Sequence, residues 1–140
     1  MLDNSRFRFM FRVWDKVLKV IRYSDYIMNS SGELFKISLD GELSRSSDEP
    51  MKFTGLYDCE GKEIWEGDVV QVQPLEEVAN DEKWLYEVKF IDGCFCGIGL
   101  LGGEGDQELL MDLVELNMCK IIGNRFENPE LFGGKLYYRD

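Results

Sequence analysis

No histidine occurs among the 140 residues of this chain. Serine or cysteine chemistry with a histidine base is therefore excluded, and so is every histidine-containing metal site. Positive charge is scarce: 16 Lys and Arg face 27 Asp and Glu, for a formal net charge of −11. Nucleic-acid affinity rests on clustered Lys and Arg, so direct nucleic-acid binding is not expected. Long apolar runs are missing as well. Arg8, Arg12 and Lys16 interrupt the N-terminal apolar stretch, leaving no signal-peptide core, and nothing approaches the ~20 apolar residues that span a bilayer. A cytoplasmic location without membrane contact is the expectation.

Cysteine is sparse and badly spaced for cross-links or metal. Cys94 and Cys96 are separated by one residue, whereas paired zinc ligands usually have two to four between them. On a strand their Cα atoms would lie ~6.7 Å apart, near the upper limit for a disulfide. Cys59 and Cys119 stand alone in the sequence. Four reduced cysteines acting as small apolar residues are expected, with no metal and no cofactor.

What is present is period-two alternation. Phe7, Phe9, Phe11 and Val13 share one face, with Arg8, Met10, Arg12 and Trp14 on the other. Asp15-Lys16 reads as a turn and Val17 to Tyr23 as a return strand, giving an aromatic-rich hairpin. Residues 1–23 hold six Lys or Arg and two acids, a local +4, so the remainder carries −15. Further strands are predicted at Glu33–Leu39, Phe53–Tyr57, Lys62–Trp65, Val69–Val72, Trp84–Ile91, Cys94–Leu101 and Met118–Ile122. Asp40-Gly41 and Asp92-Gly93 suit tight hairpin turns. Ser44–Pro50 is polar and reads as an exposed loop, and Pro74–Asp81 as an acidic loop with room for one helical turn.

Leu109, Leu110, Leu113 and Leu116 place a helix at Asp106–Leu116, and Asn128-Pro129 fits an N-cap followed by a brief helical turn to Leu131. Gly102, Gly103 and Gly105 around Glu104 and Asp106 lack both the Gly-Lys-Ser/Thr of a phosphate loop and the ligand spacing of a calcium loop, which leaves a flexible turn. The predicted class is mainly β (β-rich α+β): antiparallel strands partly rolled into a barrel, with one short helix near the C-terminal third. One domain, 1–140, is expected, with an N-terminal β unit over 1–43 and a barrel-like unit over 51–132.

Three stretches carry a resemblance. Phe11-Arg12-Val13-Trp14-Asp15 opens the chain. Phe53–Asp58, Gly61–Trp65 and Glu66-Gly67-Asp68-Val69-Val70 form its centre, and Ile122-Gly123-Asn124 with Phe126–Leu131 closes it. In this order and spacing they resemble the YopX family of small proteins encoded by bacteriophages and prophages. The resemblance implies a β-rich protein made in the cytoplasm of a bacterial host. It brings no established activity and no catalytic residue, and its turn glycines and core residues report a fold.

The expected function is a non-catalytic module that self-assembles or binds a protein. The basic hairpin and acidic remainder favour homo-oligomers, with Arg8, Arg12 and Trp14 as the interaction residues; a host protein is the other candidate partner. The alternative is an acidic nucleic-acid mimic that blocks a host DNA-binding protein, through Glu76, Glu77, Asp81, Glu82, Glu104, Asp106 and Glu108. A small-barrel nuclease is the weakest reading. It needs an acid, a base and a basic cleft, and no such constellation is present, so no enzyme is expected.

Overall fold

Runs of alternating aromatic and β-branched residues form antiparallel strands joined by turns that aspartate, asparagine and glycine shape. The structure, a computed structural model, describes residues 10–74 and 83–132. The predicted helical turn after Pro74, residues Phe7, Arg8 and Phe9, and the segment after Phe132 lie outside the described residues. The chain divides into two compact units, Met1–Lys52 and Phe53–Asp140.

In the first unit, strand β1 (Phe11–Asp15) pairs with β2 (Val20–Arg22), Val13 opposite Arg22, and with the start of β6 (Glu49–Tyr57), Arg12 opposite Met51. A separate sheet has the order β3 (Tyr26–Met28), β4 (Leu34–Ile37), β5 (Leu43–Arg45). The β3–β4 turn is organised by Asn29, whose Oδ1 accepts the N–H groups of Ser31 and Glu33. Asp40-Gly41 makes the β4–β5 turn, with Gly41 at φ 86°. The predicted loop at Ser44–Pro50 is a correction: its two ends belong to β5 and β6. Pro50 is tolerated because β7 joins β6 only from Phe53 onward, so at Pro50 the strand is locally an edge that needs no second ladder.

The second unit begins with the rest of β6, which pairs with β7 (Glu63–Trp65). A five-stranded antiparallel sheet follows. Its order is β11 (Gln107–Leu109), β10 (Cys94–Leu101), β9 (Trp84–Ile91), β8 (Asp68–Pro74), β12 (Asn117–Asn124). Register shifts at Gly99/Leu101 and Ile121/Gly123 mark bulges, which bend strands and add twist. The fold is mainly β, with a sheet curled into a half barrel.

Both faces of this sheet are buried, which is why its strands are apolar at odd and even positions alike. On one face Val70, Val72, Tyr86, Val88 and Cys119 pack with Ile64 and with Leu110 and Leu113 of helix α1 (Leu110–Leu116). On the other, Val69 and Leu100 pack with Phe132 from the 3-10 turn Pro129–Phe132. Gly97 makes room for the helix, since a Cβ there would come within 2.6 Å of Leu113 Cδ1.

The helix is shorter than the predicted Asp106–Leu116. Gln107–Leu109 instead pair with Ile98, Gly97 and Cys96 of β10, which satisfies their backbone groups as a strand. The closing Asn128-Pro129 turn forms where expected, but Asn128 Oδ1 accepts the N–H of Asn124 at 3.1 Å and reaches backwards, not into the turn it precedes. Among the described residues, no helix is long and apolar enough to cross a membrane.

Candidate interaction surface

The N-terminal hairpin is built around one buried carboxylate. Asp15 ends β1 with 0% exposure, and its Oδ1 accepts the N–H groups of Val17 and Leu18, each at 3.0 Å. Its Oδ2 takes Arg22 Nη1 at 3.1 Å and Lys36 Nζ at 3.4 Å. The Asp15 carbonyl accepts Lys19 N–H at 2.8 Å, and Lys19 adopts the left-handed conformation at φ 55°. Donation from Leu18 N–H is the chief cause that lowers the Asp15 pKa to about 2; burial opposes it, and Arg22, Val17 and Lys36 reinforce it.

A second carboxylate braces the other side of the turn. Asp48 Oδ1 accepts Lys16 N–H at 3.1 Å, and Oδ2 accepts the Tyr26 hydroxyl proton at 2.7 Å. Lys16 Nζ donates to the Ser47 carbonyl at 2.6 Å. Burial and the Asp48 partner push the Tyr26 hydroxyl pKa up. The guanidinium of Arg22 and the ammonium of Lys36 both lie just under 6 Å from the Tyr26 ring centre.

This bracing presents apolar side chains to solvent. Val17 is 86% and Leu18 61% exposed at the tip, between Lys16 and Lys19, and Val20 and Tyr23 are exposed beside them. The backbone that carries these exposed side chains is therefore held by hydrogen bonds to a carboxylate beneath it.

The residues singled out from the sequence fall elsewhere. Arg8 lies outside the described residues. Arg12, expected on an open face, is buried at 8% exposure. Its strand has neighbours on both sides, its Nη1 donates to the Tyr23 hydroxyl at 3.0 Å, and its guanidinium sits 5.9 Å from that ring's centre. Trp14 is half-buried. Alternation placed Val17 and Leu18 in the return strand, whereas they lie in the turn before β2. The available signal was Asp15 two and three residues before them, the spacing at which an aspartate caps following N–H groups.

In the second unit, Glu104, Asp106 and Glu108 are exposed near the glycine-rich turn, whereas Glu76, Glu77, Asp81 and Glu82 lie outside the described residues. The glycine turn closes on itself: Gly99 N–H donates to the Asp106 carbonyl and Gly105 N–H to the Gly99 carbonyl, both at 2.8 Å. Glu87 is buried in β9, with Arg125 at 3.7 Å and Lys89 at 4.0 Å. Cys59 and Cys94 are exposed free thiols, and Cys96 and Cys119 are buried ones. Among the described residues, no group of three or more cysteines and carboxylates gathers as a metal site would require.

The motif residues are the builders of these turns. Asp58 Oδ1 accepts the N–H groups of Glu60 and Lys62, Asp68 Oδ2 accepts that of Trp65, and Asn124 Oδ1 accepts those of Phe126 and Glu127. Gly67, at φ 86°, accepts the Arg125 N–H on its carbonyl, which ties the central motif to the closing one.

Comparison with known proteins agrees with this pattern. No curated protein matches the chain. The crystal structure of protein YopX from Bacillus subtilis is similar over 86% of this chain and 95% of that one, at 25% identity and a TM-score of 0.57. That of protein EF1440 from Enterococcus faecalis covers 91% and 99%, at 23% identity and the same TM-score, a likeness of fold. A family model described as YopX protein matches residues 10–133, from the start of the described hairpin through the closing 3-10 turn. On that match the chain belongs to the YopX family.

Proposed function

We propose that this protein is a non-catalytic binding module that associates with a second copy of itself through the tip of its N-terminal hairpin. The observation that carries the reading is the exposure of Val17 and Leu18 on a turn whose N–H groups are held by the buried Asp15 carboxylate. A tip fixed in this way loses little conformational entropy on docking. Burying two such aliphatic side chains contributes about 3–5 kcal/mol before the costs of association.

Charge selects the partner. The first unit has nine Lys or Arg against eight acids, a net +1, whereas the second has seven against nineteen, a net −12. Lys16 and Lys19 flank the apolar tip, so the acidic second unit of another copy is an attractive surface for it. Among the described residues the strand β2 is also a sheet edge, which a neighbouring copy would cover. A phage-encoded origin and a place in the bacterial cytoplasm accord with the family and belong to the same proposal.

Sedimentation velocity on the intact protein and on the double variant Val17→Ser/Leu18→Ser tests it. The parent should sediment as an oligomer and the variant as a monomer with an unchanged circular dichroism spectrum. An oligomer that survives the double substitution, or a parent monomeric across the accessible concentration range, overturns the reading.

A further inference from the structure

Two cysteines that stand sixty residues apart in the sequence meet in the fold. Cys59, exposed in the turn after β6, donates its backbone N–H to the carbonyl of Cys119 in β12 at 2.8 Å. The next anchor along the same seam is Asp58, whose Oδ2 accepts Ile121 N–H at 3.0 Å. With the N–Cα, C=O and Cα–C bond lengths added, a single 2.8 Å N–H···O bond keeps the two Cα atoms no more than about 6.7 Å apart. That lies inside the window of about 4.4–6.8 Å that a disulfide requires.

We propose that Cys59 and Cys119 are the site of an oxidant-responsive disulfide that locks the Asp58–Gly61 turn onto β12. The two thiols have different roles. The Cys119 thiol is pushed up to about 12 by burial, with Asp58 and Cys59 adding to the effect, so it stays protonated and is shielded from solvent. Cys59 is the accessible partner and reacts first. With a low-molecular-weight disulfide as oxidant, the Cys59 thiolate attacks one sulfur, forms a mixed disulfide and releases one thiol. The rare thiolate form of Cys119 then attacks the Cys59 sulfur in the slower step, forming the protein disulfide. The proton that Cys119 gave up and the second thiolate leave as the second small thiol. Two protein thiols are oxidised and one small disulfide is reduced to two thiols.

The other two cysteines serve as an internal control. Cys94 and Cys96 share β10, one exposed and one buried, separated by a single residue. Their strand would have to distort to join them.

The test treats the reduced, full-length protein with oxidised glutathione, followed by thiol titration under denaturing conditions and peptide mapping with a glutamyl endopeptidase. Cleavage after Glu42, Glu60, Glu115 and Glu127, the Glu49–Pro50 bond being resistant, puts Cys59 in residues 43–60 and Cys119 in residues 116–127, apart from Cys94 and Cys96. The expected result is a fall from four thiols to two, one cross-linked pair of those peptides, and a Tm several degrees above the reduced form, because the bond closes a long loop of the unfolded chain. Cys59→Ser, which leaves the buried core intact, should keep its remaining three thiols and show no rise in Tm. A stable glutathione adduct on Cys59, a Cys94–Cys96 link, or four thiols left intact would each overturn the proposal.

Discussion

The carboxylate of Asp58, in the turn after β6, accepts the backbone N–H of Ile121 at 3.0 Å from a position 63 residues earlier in the chain. The same side chain accepts Glu60 and Lys62 N–H groups, each at 2.9 Å. One residue thus closes its own turn and docks that turn on β12. Burial pushes its pKa up, but the N–H donors from Ile121, Lys62 and Glu60 together outweigh it and the net shift is downward.

Asp58→Ala leaves three N–H groups to find other partners. It should lower stability by about 2–4 kcal/mol, at about 1–3 kcal/mol for each donor left buried and partial relief by water at the turn. Asp58→Asn retains an acceptor for the turn and should cost less. Urea midpoints at constant m-value rank the two, and equal midpoints for the parent and Asp58→Ala would remove the role assigned to this side chain.

Two glycines differ in what opposes a methyl group. At Gly123 a Cβ would lie 2.4 Å from Asn128 Oδ1, a side-chain end that can rotate away at the cost of its hydrogen bond to Asn124 N–H. At Gly99 it would lie 1.9 Å from the Gly103 carbonyl oxygen, so the glycine-rich turn itself must open. Gly123→Ala should cost about 1–3 kcal/mol, and Gly99→Ala should cost more. Tm values of the two variants in one buffer check the order.

Acid should loosen the hairpin through Asp15. Its pKa is depressed from 3.8 to about 2. A carboxylate lowered by folding contributes stability above its unfolded pKa and loses that contribution as pH falls through the folded value. Asp15→Asn should therefore be less stable than the parent above pH 3.8, and the gap should close as pH falls to about 2. Asp40 and Asp58 shift in the same direction and are common to both proteins, whereas Asp48 is itself pushed up by the Asp15 charge, so the comparison is made in an Asp48→Asn background to isolate Asp15. Denaturant midpoints at a series of pH values measure it; a gap that does not narrow over that window contradicts the assignment.

The strands and turns were legible where local chemistry decides them. Asp92 and Gly93 both have positive φ, at 52° and 82°, as an Asp-Gly hairpin turn demands, and β9 and β10 flank them as the alternation predicts. Tertiary pairing decided the rest. Leu109 completes a helical stripe in the sequence, yet it pairs with Cys96 as a strand residue and is exposed, because β10 offers a free edge there. Arg12 reads as a surface cation, yet it is buried and donates to the hydroxyl of Tyr23, eleven residues on, a contact the sequence does not announce. Val17 and Leu18 look like strand core until Asp15 is seen to hold their N–H groups in a turn. Which hairpin side chains are exposed and which are buried thus depends on side-chain hydrogen bonds that periodicity does not encode.

The most direct test of the hairpin-tip interface is a dilution series read by methyl NMR on the intact protein at low salt. The Val17 and Leu18 methyl resonances should shift with concentration and return to their dilute positions at high salt, where the flanking lysines are screened. Methyls of Leu116 and Met118, exposed on the second unit at α1 and β12, serve as the comparison. Concentration-dependent shifts confined to Leu116 and Met118, with Val17 and Leu18 unmoved, would contradict the assignment of the hairpin tip as the self-association surface.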